Sequence, residues 1–114
     1  MSASKELEKD IKQNEETIKT MEALYRLEKN RDFKKIFTNY LLKEKVISLV
    51  MELAEREKQS VEEQQSIKDS LKAISHVSLL MDEIANAGEL AIRNINNNRE
   101  ELKMAVLEEE RENE

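Results

Sequence analysis

The sequence predicts an all-α protein: an elongated helical hairpin or bundle with coiled-coil character and a long C-terminal helix. Three observations lead there. Proline is absent and glycine occurs once in 114 residues, so the Gly/Pro turns of an all-β or α/β fold are missing. Charged residues make up 39% and aromatics 4%, the balance of chains built from long helices. From Ser60 to about Glu110 an apolar stripe recurs at alternating steps of four and three: Ile67, Leu71, Ile74, Ser78, Met81, Ala85, Gly88, Ile92, Ile95, Arg99, Leu102 and Val106. That is the stripe of a helix laid against other helices. Such a helix is roughly 70 Å long, whereas a compact 100-residue domain has a radius of gyration of about 13 Å. The expected chain is therefore elongated or packed against other chains.

The whole chain, residues 1–114, reads as one helical domain. Residues 1–30 form an N-terminal coiled-coil-like helix with the seam Leu7, Ile11, Asn14, Ile18, Met21 and Tyr25. Leu24 and Leu27 widen its end. A seam this thin gives a lone helix little to bury, so the segment is expected to pair with another helix. Asn14 on the seam either fixes register or oligomeric state at a cost in stability, or is wet where the seam frays.

Residues 31–58 hold a short helix and a buried one. Asn30 or Asp32 is placed to cap the short helix, with Phe33, Ile36 and Phe37 on one face. Thr38–Asn39 reads as a second bend. From Tyr40 to Arg56 a wide apolar face (Leu41, Leu42, Val46, Ile47, Leu49, Val50, Leu53, Ala54) predicts good burial. Tyr25, Phe33, Phe37 and Tyr40 are all the aromatics, and they are expected to pack as core where the segments meet.

Residues 60–110 form the long helix. Ser60-Val61-Glu62-Glu63 is a capping box, with Ser60 at the N-cap and Glu63 three residues on. Val77, Leu80, Ile84, Ala87 and Ala91 make a second row beside the main stripe, which predicts contact on two sides. Ala85, Ala87, Gly88 and Ala91 are small enough to let a helix approach closely. Gly88 costs about 1 kcal/mol of helix propensity relative to Ala. The weak stretch Asn94–Asn98 is expected to remain helical, and residues 108–114 read as an acidic tail.

Chemistry is not expected. His76 is the only histidine and cysteine is absent, so a zinc site lacks ligands. Ala73 stands three residues before His76, so the Glu-x-x-His motif of di-iron bundles is missing. The pairs Glu62/Glu63, Asp82/Glu83, Glu100/Glu101 and the run Glu108–Glu110 read as a solvated face. One glycine cannot build a phosphate loop. The methionines fall mostly on apolar faces and read as core filling. No catalytic, cofactor or metal residues are assigned.

The net charge of −6 is uneven. Residues 1–30 carry six basic and seven acidic groups, residues 31–58 seven and five, and residues 59–114 six and thirteen. A nucleic-acid partner is disfavoured, since only Lys29, Arg31, Lys34, Lys35, Lys43 and Lys45 form a basic patch. No stretch of 18 apolar residues exists to span a membrane. The N-terminus lacks the apolar region of a signal peptide.

The stretch from Ala23 to Ile36, ALYRLEKNRDFKKI, resembles small all-helical proteins encoded by tailed bacteriophages. There a leucine-rich helix end is followed by Asn, an acidic residue, Phe and a basic-apolar turn. The aromatic-led helix that follows matches Tyr40-Leu41-Leu42 and Val46-Ile47-Ser48-Leu49-Val50. The block from Ile67 to Ile95, with Gly88 before Leu90 and Ala91, is also similar. The family commonly carries Gly where this chain has Asn39. The resemblance implies a phage gene product acting in the host cytoplasm or carried in the virion. It supplies no catalytic residues.

The leading expectation is a non-enzymatic phage structural or assembly protein that packs on itself, as a homo-oligomer, or on a virion protein. The interface residues expected are Leu80, Ile84, Ala87, Gly88 and Ala91 on the long helix and Ile11, Asn14 and Ile18 on the first. The alternative is an acidic helical regulatory binder or inhibitor of a host or phage protein, using Glu100, Glu101 and Glu108–Glu110.

Overall fold

The computed structural model describes residues 3–113. Helix α1 runs Ala3–Glu28 and α2 Arg31–Phe33. A π-helix, Lys34–Lys45, leads into α3, Val46–Ala54. A 3-10 turn, Arg56–Lys58, precedes α4, Val61–Glu112. No strand occurs among the described residues, so the fold is all-α with a long C-terminal helix. The chain divides into two compact units: the residues up to Leu24 with those from Ile84 onward, and Tyr25–Glu83.

The first unit is an antiparallel pair of α1 and the C-terminal half of α4. Ser4 Oγ lies 2.9 and 3.0 Å from the two carboxylate oxygens of Glu109. Glu15 meets Arg99 at 3.7 Å, and Met21 lies against Gly88. These contacts run in opposite order along the two helices. The seam positions Ser4, Leu7, Ile11, Asn14, Ile18, Met21 and Leu24 of α1 are all covered. Leu24, not Tyr25, closes the seam.

On α4 the covered positions here include Ile84, Ala85, Gly88, Ala91, Ile95, Asn98, Leu102, Ala105 and Glu109. This corrects the sequence stripe, which ran through Ile92, Arg99 and Val106. Each of those three is exposed, and the residue just before it is covered instead. The reason is proximity. A Cβ on Gly88 would sit 2.6 Å from Met21 Cγ and nearer still to its Cβ and Sδ, so the side chain of Met21 occupies the space a Cβ would need. Ala91 and Ala105 continue the low side. Close approach there outweighs the greater apolar area of Ile92 and Val106, which flank the seam. Through Asn94–Asn98 the helix is continuous, with Ile95 buried. It also continues through Glu108–Glu112, so the acidic run is helical up to Glu112.

The second unit packs α3 and the π-helix on the N-terminal half of α4. Leu49, Ile67 and Ile74 are buried together, with Leu41, Leu42, Val46, Leu53 and Leu71 around them. Here the sequence stripe Ile67, Leu71, Ile74, Ser78, Met81 is covered throughout. The ends are set by caps. Asn30 Oδ1 accepts from the Asp32 and Phe33 N–H groups at 3.0 and 3.1 Å. Ser60 Oγ accepts from the Glu63 N–H at 3.1 Å, which satisfies one of the orphan donors that begin α4. Gln59 Nε2 donates to the Glu52 carbonyl and Gln64 Nε2 to that of Arg56, fastening the turn.

Three sequence expectations fail in this unit. Thr38–Asn39 is no bend, because both residues lie inside the π-helix. The aromatics form no core: Tyr25, Phe37 and Tyr40 are exposed and only Phe33 is half-buried. Phe33 and Phe37 stack on each other, with ring centroids 4.8 Å apart and planes 13° from parallel. The Tyr40–Arg56 segment is covered on one side only, since Ile47, Val50 and Met51 are exposed. The π-helix has a legible cause. Phe33, Phe37, Leu41 or Leu42, and Val46 recur every four to five residues. That spacing fits a helix of about 4.4 residues per turn better than one of 3.6.

Candidate interaction surface

The local rules that cover one stripe of a two-helix layer leave the opposite sides to solvent. In the second unit this leaves a series of large apolar side chains outside. Ile36 and Tyr40 are 56% and 52% exposed on the π-helix, and Ile47 and Met51 are 53% and 66% exposed on α3. Leu79 and Leu80 are 52% and 58% exposed on α4. Only Leu49, Ile67 and Ile74 are buried hydrophobics in this unit. In this unit more large apolar side chains are exposed than are buried, and a contiguous apolar surface of this kind is a mark of a contact face.

The residues singled out from the sequence do not share one environment. Leu80 and Ala87 are exposed, Ile84 is half-buried, and Gly88 and Ala91 are buried. Gly88 meets Met21 of the same chain. Ile11, Asn14 and Ile18 are half-buried within the first unit. Sequence reasoning missed Ile36, Tyr40, Ile47 and Met51 as surface residues. The spacing of Phe33, Leu41 or Leu42 and Val46 could have found Ile36 and Tyr40, because a π-period row on one side puts these two off it.

Charge follows the two arms of the second unit. Residues 25–58 carry nine basic and six acidic side chains, a net +3; residues 59–83 carry two and five, a net −3. Lys34, Lys35, Asp82 and Glu83 are exposed, and none of them takes part in the Lys19–Glu16 or the Arg99–Glu15 ion pair. His76 is exposed on α4. No three His, Asp or Glu side chains converge as a metal ion would require among the described residues. No helix there is long and apolar enough to cross a membrane.

The geometry defines an all-α protein of paired helices with an unpartnered apolar surface. Comparison with known proteins found no match: no family model, no curated protein and no solved structure is similar to the chain.

Proposed function

We propose that this chain is a non-enzymatic structural or assembly protein of a tailed bacteriophage, working by packing helix against helix on itself or on a virion protein. The observation that carries the packing role is the exposed apolar set of the second unit, above all Leu80, Ile36 and Tyr40. Burial of such surface is worth roughly 25 cal/mol per Å². The phage assignment rests on the sequence resemblance around Ala23–Ile36. The test is where the protein resides. Quantitative mass spectrometry of purified particles should find it at a fixed ratio to the main virion proteins. Recovery only from the soluble lysate of infected cells would count against a virion role. A Leu80→Asp chain should lose assembly while circular dichroism keeps its helicity; equal loss of both would remove the packing argument.

A second reading has one observation in its favour. Glu100, Glu101, Glu108 and Glu110 are exposed on the last turns of α4. An acidic helix of this kind suits a regulatory binder or inhibitor with a basic target. Binding to a host protein that is lost when these four residues become Gln would favour it.

A further inference from the structure

The π-helix and α3 together carry two apolar periods that one winding cannot satisfy. Val46, Leu49 and Leu53 lie on the α4 side of α3, with Leu42 before them. Counted back from Val46 at α spacing, steps of four and three lead through Leu42 to Asn39 and Lys35. Counted back at π spacing, steps of four and five lead through Leu41 or Leu42 to Phe37 and Phe33. The structure follows the second count. Asn39 and Lys35 are exposed, Phe33 is half-buried and Phe37 stacks on it. The π winding thus keeps a lysine and an amide out of the layer and turns the Phe33–Phe37 stack to that side.

The same winding splits a second set. Ile36, Tyr40, Ile47 and Met51 are each more than half exposed. Their spacing of four, seven and four is one row of an α-helix. A residue turns about 82° in a π-helix of about 4.4 residues per turn and about 100° in an α-helix. Tyr40 therefore stands about 130° round the arm from Ile47, whereas α winding throughout would set the two about 20° apart.

Little burial holds the π form in place, since none of its twelve residues is buried. A π-turn ordinarily occurs singly inside an α-helix. What opposes α winding here is the desolvation of Lys35 and Asn39 on the α4 side, and a lysine eases that cost by reaching its ammonium back to water. The two windings carry opposing costs on the same few residues.

We propose that Lys34–Lys45 is a two-state segment that rewinds between the π form and an α form, gathering Ile36, Tyr40, Ile47 and Met51 onto one face. In the α form, Arg31 to Ala54 is one helix with Lys35 and Asn39 toward α4. Conversion also turns the Asn30 end by more than half a turn about the axis of α3. Winding and the direction in which the preceding helix leaves then change together. The inference concerns the winding of the free chain and does not rest on the assembly reading.

The experiment is nuclear magnetic resonance on the full chain. Couplings across hydrogen bonds report which carbonyl each amide meets, five residues back in the π form and four in the α form. The wild type should show the five-residue pattern, with relaxation dispersion at the same amides revealing exchange with a minor form in microseconds to milliseconds. Lys35→Leu with Asn39→Leu completes the α row. It should install the four-residue pattern and shift the ratio of forms by at least about tenfold. Phe37→Ala weakens the π row alone and should raise the minor population, which keeps the test open if the leucine pair misfolds. Lys34→Leu with Glu44→Leu adds two leucines at positions that neither winding turns toward α4, and should leave the pattern unchanged. A wild type with the four-residue pattern or without exchange overturns the proposal. So does a leucine pair at Lys35 and Asn39 that stays π, or a Lys34 and Glu44 pair that converts as fully.

Discussion

The two units solve the packing of one long helix by different means. In the first, α4 offers Gly88, Ala91 and Ala105 to α1, and the side chain of Met21 fills the space where a Cβ would be. Polar groups share that seam: Asn14 and Asn98 are half-buried on it, Glu15 and Arg99 pair beside it, and Ser4 bonds to Glu109. In the second, Ile67 and Ile74 meet Leu49 through bulk. Both pairs leave apolar side chains outside: Leu90, Met104 and Leu107 in the first, and Ile36, Tyr40, Ile47, Met51 and Leu80 in the second. Proximity gives register, and bulk gives area. An excess of exposed area is where further association is expected.

Substitutions can break or sharpen this contrast. The largest losses should come from the buried aliphatic centres: Leu49→Ala in the second unit and Ile95→Ala in the first, each costing about 2–4 kcal/mol in urea unfolding. A loss under about 1 kcal/mol at Leu49 would mean the second unit does not depend on that cluster. Gly88→Ala separates the two packing modes. Helix propensity alone predicts a gain of about 1 kcal/mol, while overpacking against Met21 Cβ costs about 1–3 kcal/mol. The expected sign is destabilising, and the double variant Gly88→Ala with Met21→Ala should show coupling between the two sites. A stabilised Gly88→Ala chain would sink the close-approach account.

Smaller effects test the ends and the rim. Ser60→Ala and Asn30→Ala should each lower stability by about 1 kcal/mol through loss of an N-cap, and amide exchange should quicken in the turn that follows. Arg99→Ala should cost about 0–0.5 kcal/mol, because both partners of the Glu15 pair are largely solvated. A loss well above that would show that the polar side of the first unit carries stability as well as register.

Much of the architecture was legible. The helix caps at Asn30 and Ser60, the continuity of α4 and the N-terminal half of its stripe follow from local residue chemistry and a period near 3.5. The stripe beyond Gly88 was not legible, because hydrophobicity ranks Ile92 above Ala91 and Val106 above Ala105. Which residue faces inward there depends on how near α1 comes, a property of two helices and not of one. The π-helix was missed because the reading assumed turns of 3.6 residues throughout. With the wrong period, Thr38–Asn39 looked like a break and the aromatics looked buried. Leu80, Ile84, Ala87, Gly88 and Ala91 were legible only as a row. The split of that row into buried Gly88 and Ala91 and exposed Leu80 and Ala87 needed the position of Met21.

The π-helix also stores spare chain. Each of its turns holds about one residue more than an α-turn of similar pitch, so Lys34–Lys45 carries about three residues beyond what an α-helix would need for the same reach. Deletion of one residue there can be absorbed by a local change of winding, with Asn30 and α3 staying where they are. The same deletion in α4 would turn every following side chain by about 100°. Length variation in this protein is therefore best tolerated between Asn30 and Val46, and least within the helix that both units share.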